Sequence, residues 1–314
     1  MSLRLSTGPH ILARPSTRSI MLDVLIALLP TTAAGIYLFG IDAAIVLLIS
    51  VASAVLAEGI WQKITRRPVQ VGDLSAAVTG LLLGLNLPSS SPWWMAVIGS
   101  AVAIILIKQI FGGIGQNFLN PALAARAVLL TSWPARMTTF FLPERLINIG
   151  TQSAAQVGDA VTSATPLAKG GTAIMDLLMG NIPGTIGEVC KVAILIGFVY
   201  LVVRRVIGPH IPVLFVGTVA LMTLLMGGDP LTAILSGGVL LGAVFMATDY
   251  VTNPMTLIGQ CIFAVGCGII VVVIREEGNY PEGVTYAILL MNIVTPLIDK
   301  AIKRRVYGEV KANA

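Results

Sequence analysis

The sequence predicts an all-α polytopic membrane protein, with about ten transmembrane helices in two inverted five-helix repeats. Three observations predict it. Of 314 residues, 56% are hydrophobic and only 11% charged, with a mean hydropathy of +0.89. Soluble domains carry about a quarter charged residues. Apolar runs near the ~20 residues that cross a bilayer as a helix alternate with short basic or Gly/Pro-marked breaks. The two halves also repeat one order of marks. "SPWWMAVIGSAVAIILIKQIFGGIGQNFLNPALAARAVLL" begins at Ser91, and "NPMTLIGQCIFAVGCGIIVVVIREEGNYPEGVTYAILLMN" begins at Asn253. Each runs Pro, apolar span, charged break, Gly with Asn, Pro, then a small-residue span. A short Gly-interrupted span precedes each. An odd number of spans per repeat inverts one half relative to the other, and such repeats place a site where interrupted helices meet.

Taken in order, the predicted spans of the N-terminal half are residues 20–40, 43–61, 73–88, 93–111 and 121–133. Those of the C-terminal half are 188–204, 211–227, 230–248, 255–274 and 283–299. Asp73 and Asp229 precede apolar runs as N-caps, and Pro230 takes the first helical position after Asp229. The chain divides into an N-terminal repeat with its basic tail (1–133), a long polar interval (134–187) and a C-terminal repeat with a basic tail (188–314). The residues before the first span lack a continuous apolar core and a small-residue cleavage site, so no cleaved signal peptide is expected.

Orientation follows from Lys and Arg. With the N-terminus inside, fourteen of them fall in inner segments, among them Lys63, Arg66, Arg67, Lys108, Arg204 and Arg205. Five fall outside: Arg136, Arg145, Lys169, Lys191 and Arg275. That bias places both termini in the cytoplasm and the 134–187 interval beyond it. The net charge of +5 therefore reports membrane orientation rather than a nucleic-acid surface.

The familiar soluble catalytic constellations are missing: no Walker loop, dinucleotide fingerprint or G-x-S-x-G elbow occurs. Cys190, Cys261 and Cys267 lie in apolar runs without metal-ligand spacing and read as packing residues. His10 and His210, both in "GPHI", read as interfacial. Asp23, Glu58, Asp73, Glu188, Asp249 and Asp299 stand at or near span ends, and Arg126 stands inside one. Charge in hydrocarbon is costly, so each is a capping, snorkelling or paired group, or a functional one. Asp73 and Asp249 stand out as members of an ion path or flavin pocket, because each accompanies a short interrupted span in its own half.

The long polar interval holds "GDAVTSATPLAKGG", Gly158 to Gly171, where Asp159 is followed by Thr162, Ser163, Ala164 and Thr165. A hydroxyl that accepts a bulky group needs a flexible, accessible segment with small neighbours, and Pro166 disfavours helix at Thr165. The stretch resembles the flavinylation motif of Rnf and sodium-pumping NADH:quinone reductase complexes, D-x-x-[ST]-[GS]-A-[TS]. Ser163 stands where Gly is common. "FGGIGQNFLNPALAARAVLL", "GTIGEVCKVAILIGFVYL", "FMATDYVTNP" and "YPEGVTYAILLMNIVTPLIDK" extend the resemblance, over nearly the whole chain, to the RnfD components of Rnf electron-transport complexes.

That resemblance implies a bacterial or archaeal cytoplasmic-membrane subunit of an ion-translocating ferredoxin:NAD oxidoreductase. It implies FMN esterified through its phosphate to Thr165 by a flavin transferase, with Asp159, Thr162, Ser163 and Ala164 as the recognition sequence. It implies other Rnf components as partners: the A-type and E-type membrane proteins, a flavinylated G-type protein, and soluble iron–sulfur proteins of the B and C types. It also implies a noncovalent riboflavin, to which the sequence assigns no residue. Three other readings stay open at this point. They are an autonomous transporter or channel without flavin, a structural anchor whose loop is a linker, and the homologous component of a sodium-pumping NADH:quinone reductase.

Overall fold

Ser16 starts the first helix with a reciprocal cap. Its hydroxyl accepts from the Ser19 amide at 3.2 Å, and the Ser19 hydroxyl accepts from the Ser16 amide at 3.0 Å. The computed structural model describes residues 16–141, 174–277 and 283–302, and among them the regular structure is helical with no strand. Helix α1 runs Thr17–Ile64, 48 residues. Straight, it would be about 72 Å long, more than twice the ~30 Å hydrocarbon core of a bilayer. It is not straight. Gly40 has φ 73° and ψ −153°, a left-handed conformation that glycine adopts without a Cβ clash. Ile20 near the start lines the same cavity as Lys108, and Lys108 pairs with Glu58 near the end. Both ends of α1 therefore lie on the same side, around Lys108, and the chain doubles back at Gly40, the last residue of the span expected at 20–40 and just before the one expected at 43–61.

A short turn at Val71–Asp73 leads into α2 (Ser75–Leu85). Eleven residues rise only about 16 Å, so α2 reaches about halfway through a bilayer. Asp73 does not cap it. Leu74 holds the cap position with φ 66°, and Asp73 accepts from the Ser75 amide at 2.8 Å. Helix α3 (Trp93–Ala101) continues as a π-helical segment, Val102–Gln109. Helix α4 (Pro121–Ser132) has Asn120 as its cap, accepting from the Ala122 and Leu123 amides at 3.1 and 3.3 Å. Then come α5 (Pro134–Met137), α6 (Ile174–Met179), α7 (Lys191–Val203) and α8 (His210–Leu225). Asp229 caps α9 (Pro230–Leu235) through the Leu231 and Thr232 amides. After Gly237 and Gly238 the chain restarts as α10 (Val239–Leu241), which passes into a π-helical Gly242–Met246. Helices α11 (Leu257–Glu277) and α12 (Val284–Ala301) complete the order.

Among the described residues, three helices are long and apolar enough to cross a membrane: Thr17–Ile64, Leu257–Glu277 and Val284–Ala301. Five shorter apolar helices join them. In α1, Leu48 and Ile64 are exposed outward, as are Val203 and Met255 elsewhere, while small residues face inward. A Cβ on Gly80 would stand 2.7 Å from the Ser50 carbonyl, so α2 lies directly against α1.

One stretch is buried without being helical. Residues 182–189 are all buried. Their Ile186 and Gly187 amides donate to the Leu87 and Leu85 carbonyls at 3.1 and 2.7 Å. They thereby satisfy backbone groups that the end of a half-length helix leaves open. Irregular backbone at membrane depth is tolerated where it is enclosed by protein, and here the end of α2, α1 at Gly35 and the turn at Gly238 border it.

Candidate functional site

Helix α2 and the π-helical Gly242–Met246 segment that follows α10 line one cavity, together with Ile20, Met21 and Val24 near the start of α1. Its apolar walls include Val78, Leu82, Val244 and Phe245, and its polar groups are Ser75, Thr79, Lys108, Asn117, Asn120, Thr248 and Asp249. Asp249, half-buried in the turn after α10, accepts from the Val251 amide at 3.3 Å and the Thr252 hydroxyl at 3.5 Å. Asp73 does not line the cavity. It accepts from the Ser75 hydroxyl at 2.7 Å, and Ser75 accepts from Lys108 Nζ at 2.5 Å. The two aspartates picked out from the sequence thus reach one cavity by different routes, Asp249 directly and Asp73 through Ser75.

Lys108 is the centre of this arrangement. Its ammonium lies 2.8 Å from Glu58 Oε1, with the side chains 4% and 1% exposed. Gln109 donates to the same Oε1 at 2.7 Å. Glu58 Oε2 has no hydrogen-bond partner among the described residues. The π-helical widening of α3 carries both Lys108 and Gln109, and such widenings recur at functional sites. Of the three Lys108 donors, Glu58 and Ser75 take two, which leaves one for the cavity.

Deeper in, a polar chain continues along the contact between the halves. Asn120 Nδ2 donates to the Met246 carbonyl at 3.3 Å. Asn86 Nδ2 donates to the Leu82 carbonyl at 2.6 Å and lies 3.8 Å from Met246 Sδ. Asn86 Oδ1 accepts from Arg126 Nη1 at 2.9 Å. Next to Arg126 lies the buried 182–189 stretch, where Glu188 Oε1 accepts from the Thr185 amide at 3.0 Å. Lys191, fully buried at the start of α7, donates to the Glu188 and Gly237 carbonyls.

Thr165, Asp159, Thr162, Ser163 and Ala164 lie outside the described residues, as does His10. Cys190, Cys261 and Cys267 are free thiols. Among the described residues no three His, Cys, Asp or Glu side chains gather as a metal site. Asp23 joins α1 to α7, accepting from Tyr200 at 3.0 Å and from Arg204 at 3.3 Å. Asp299 accepts from the Met255 amide at 3.0 Å. His210 Nε2 pairs with Gln260 Oε1 at 2.5 Å. Outside the spans, the Thr232 hydroxyl and amide hold the Asp229 carboxyl below its ordinary pKa. Sequence reasoning singles out Glu58, Arg126 and Glu188 as charges near hydrocarbon but finds no partner for any of them. The partner of Glu58 is fifty residues away, and that of Arg126 is forty, so no local pattern announces either pair.

A sequence comparison places this architecture among known chains. The chain is 48% identical to the D component of the Na⁺-translocating ferredoxin:NAD⁺ oxidoreductase complex of Acetobacterium woodii, covering 99% of this chain and 97% of that one. It is 40% identical to the D component of the proton-translocating ferredoxin:NAD⁺ oxidoreductase complex of Clostridium ljungdahlii, over 97% and 96%. To the D component of the ion-translocating oxidoreductase complex of Halorhodospira halophila it is 39% identical, over 99% and 97%. The pattern of the NQR2, RnfD, RnfE family matches residues 4–308, and the chain belongs to that family.

Proposed function

We propose that this chain is the D-type membrane component of an ion-translocating ferredoxin:NAD⁺ oxidoreductase, carrying FMN as a phosphoester on Thr165. The observation that carries the reading is the full-length similarity to the D components of such complexes, joined to the "DAVTSAT" segment that ends at Thr165. One of those relatives is named for Na⁺ and another for protons, so the transported ion is left to experiment. The partners are the remaining Rnf components: the A and E types in the membrane, the flavinylated G type, and the iron–sulfur proteins of the B and C types. A flavin transferase acts on Thr165, with Asp159, Thr162, Ser163 and Ala164 as its recognition sequence. The chain has ten spans in two inverted repeats, with both termini cytoplasmic and the 134–187 segment on the other side. Lysine and arginine bias supports that orientation. The meeting of half-length α2 with the short π-helical segment after α10 at one cavity supports the repeat.

A bound flavin supplies one- and two-electron redox chemistry, while the polypeptide supplies position, insulation and electrostatics. The cavity between α2 and the π-helical segment after α10 is our candidate for the second, noncovalent riboflavin. Its apolar walls suit a flat ring system, and its polar groups suit the hydrogen-bonding edge of one. Lys108 offers its third N–H there. Asn117 directs Nδ2 to the Leu119 carbonyl at 3.0 Å and keeps Oδ1 available as an acceptor. Asp249, at the same wall, extends the set of acceptors and remains, with Asp73, a member of an ion path into the cavity.

The test is direct. Coexpressed with a flavin transferase, the wild-type chain gains the mass of FMN less water and fluoresces in a denaturing gel. Thr165→Ala loses both signals. An unmodified wild-type chain under those conditions overturns the flavin assignment, whereas a modified Thr165→Ala chain overturns only the choice of residue.

A further inference from the structure

The second half of α1, from Leu48 to Ile64, and α3 with its π-helical continuation, from Val97 to Ile105, line an open apolar groove. Ala52, Ser53, Ala57 and Ala101 leave its hollow, and Leu56 and Ile60 stand beside them, 62% and 58% exposed. From Leu48 to Ile64 the helix rises about 24 Å, so the groove runs along most of the ~30 Å hydrocarbon core of a bilayer. It is separate from the cavity of Lys108 and Asp249, with which it shares no lining residue.

The end of the groove at Ile64 is basic. Lys63, seven residues after Leu56, stands at its edge, and Arg66 and Arg67 follow, all three exposed. Arg67 Nη1 donates to the Gln109 carbonyl at 3.4 Å, so its guanidinium reaches from one wall of the groove to the foot of the other. That bond uses one of five N–H groups. Trp61 lines the groove within a turn of Ile64, where tryptophan meets lipid headgroups. Among the described residues no salt bridge joins Lys63, Arg66 or Arg67 to a carboxylate. The turn that presents them is tight. The Arg66 amide donates to the Lys63 carbonyl at 3.3 Å and the Arg67 amide to the Gln62 carbonyl at 2.9 Å. These are the two bonds of a helix end whose left-handed residue is usually glycine. Arginine stands there instead, with φ 54°, a conformation that a Cβ disfavours. Glycine would make the same turn without strain, so what Arg66 adds is its charge.

We propose that this groove holds an anionic phospholipid, its acyl chains against the small residues of α1 and α3 and its phosphate on Lys63, Arg66 and Arg67. Basic pockets at the ends of transmembrane helices take anionic headgroups in this way, and guanidinium–phosphate hydrogen bonds add to the attraction of charge. A partner helix would suit the hollow but would leave three cations at its end without a counter-charge. A phospholipid with a net negative headgroup matches both parts of the site at once.

The experiment uses the assembled complex in phosphatidylethanolamine vesicles with a trace of phosphatidylglycerol that carries a diazirine in one acyl chain. Irradiation and peptide mapping locate the label. In wild type it falls within Leu56–Ile64 and Val97–Ile105, and phosphatidylcholine with the same diazirine chain labels those segments far less. Arg66→Gly lowers the phosphatidylglycerol label there about fivefold, the factor for about 1 kcal/mol per basic residue at a charged headgroup. Arg66→Lys keeps the charge and most of the label. The apparent Tm of Arg66→Gly without phosphatidylglycerol does not fall, because glycine relieves the left-handed strain. If it does fall, Lys63→Gln carries the test with the same expected drop, and an unchanged label overturns the proposal. Arg205 is the control. It makes the same turn, with φ 56° and the Val206 amide on the Leu201 carbonyl at 2.9 Å, beside a residue that lines the cavity with Lys108. Arg205→Gly thus removes an equal charge from the same end of the bundle and leaves the groove label unchanged. An unlabelled groove in wild type overturns the proposal and means that another chain covers this face. Equal labelling by the two lipids overturns it too, because any acyl chain then suffices. So does an Arg205→Gly loss as large as that of Arg66→Gly, which would reduce the effect to overall surface charge. The labelling needs neither flavin nor turnover, so these outcomes are independent of the flavin on Thr165.

Discussion

Two of the acid–base pairs that tie helices together in this protein differ in almost everything but charge. Glu58 and Lys108 join α1 to α3 at 2.8 Å, with both side chains nearly inaccessible. Asp23 and Arg204 join the start of α1 to the end of α7 at 3.3 Å, with the arginine 56% exposed and the aspartate 13%. The exposed pair is one of many ways to hold two helix ends, and water competes for both partners. The buried pair had to give up hydration on both sides, a loss its mutual attraction only roughly offsets. A leucine–leucine contact would hold α1 to α3 without that loss. The buried pair is therefore better explained by its position: Lys108 faces the cavity, and Glu58 sets where the ammonium points.

Breaking the buried pair from one side should produce the largest effect. Glu58→Gln or Lys108→Met leaves one charge buried without its partner, a change that costs about 3–5 kcal/mol where such pairs have been split. The expected result is a marked fall in the apparent Tm of the purified complex, or loss of this chain from it. Replacing both, Glu58→Met with Lys108→Met, removes the uncompensated charge and should recover most of that loss. A double variant as unstable as the sum of the singles would show that the two charges are not coupled, and would overturn the reading of the single losses as an unpaired charge.

The same contrast marks what could be read in the sequence. Local physics was legible: the break at Gly40 falls at the expected end of the first span, and Asp229 followed by Pro230 caps a helix as their order implies. Asp73 looked alike in the sequence yet does not cap, because Leu74 takes a left-handed conformation and shifts the helix start by one residue. The pairings that shape the cavity were not legible. Glu58 with Lys108 and Asn86 with Arg126 depend on how distant helices dock, and composition carries no record of docking. The buried 182–189 stretch escaped for a related reason. "NIPGTIGEVC" has the Gly and Pro of a surface loop, and only the open carbonyls at the end of α2 explain why it is drawn inside.

The exposed pair should answer in the opposite way. Arg204→Gln removes a partner that water replaces at once, so the apparent Tm of the complex should barely move. Raising salt should shrink even that difference, because exposed charges are screened within about 8 Å at physiological ionic strength. Glu58→Gln, by contrast, should show a salt-independent loss. If the Arg204→Gln loss matches that of Glu58→Gln and resists salt, exposure is the wrong basis for separating the two pairs.

Asp229 extends the exposed side of the comparison to a carboxylate whose partners are neutral, and its effect should be the smallest. The Thr232 hydroxyl, then the Thr232 and Leu231 amides, favour its ionised form and lower its pKa in the folded chain. The sign follows from that direction. A depressed folded pKa contributes stability that is fully present above the unfolded aspartate value, about 3.9. That contribution fades as pH falls through the folded value. Asp229→Asn keeps a capping side chain but cannot titrate. Wild type and Asp229→Asn should therefore differ in apparent Tm by a small, constant amount from pH 7 down to about 5, and that difference should shrink as pH drops below about 4. A difference that grows on acidification would mean that the cap works through its proton and not through its charge.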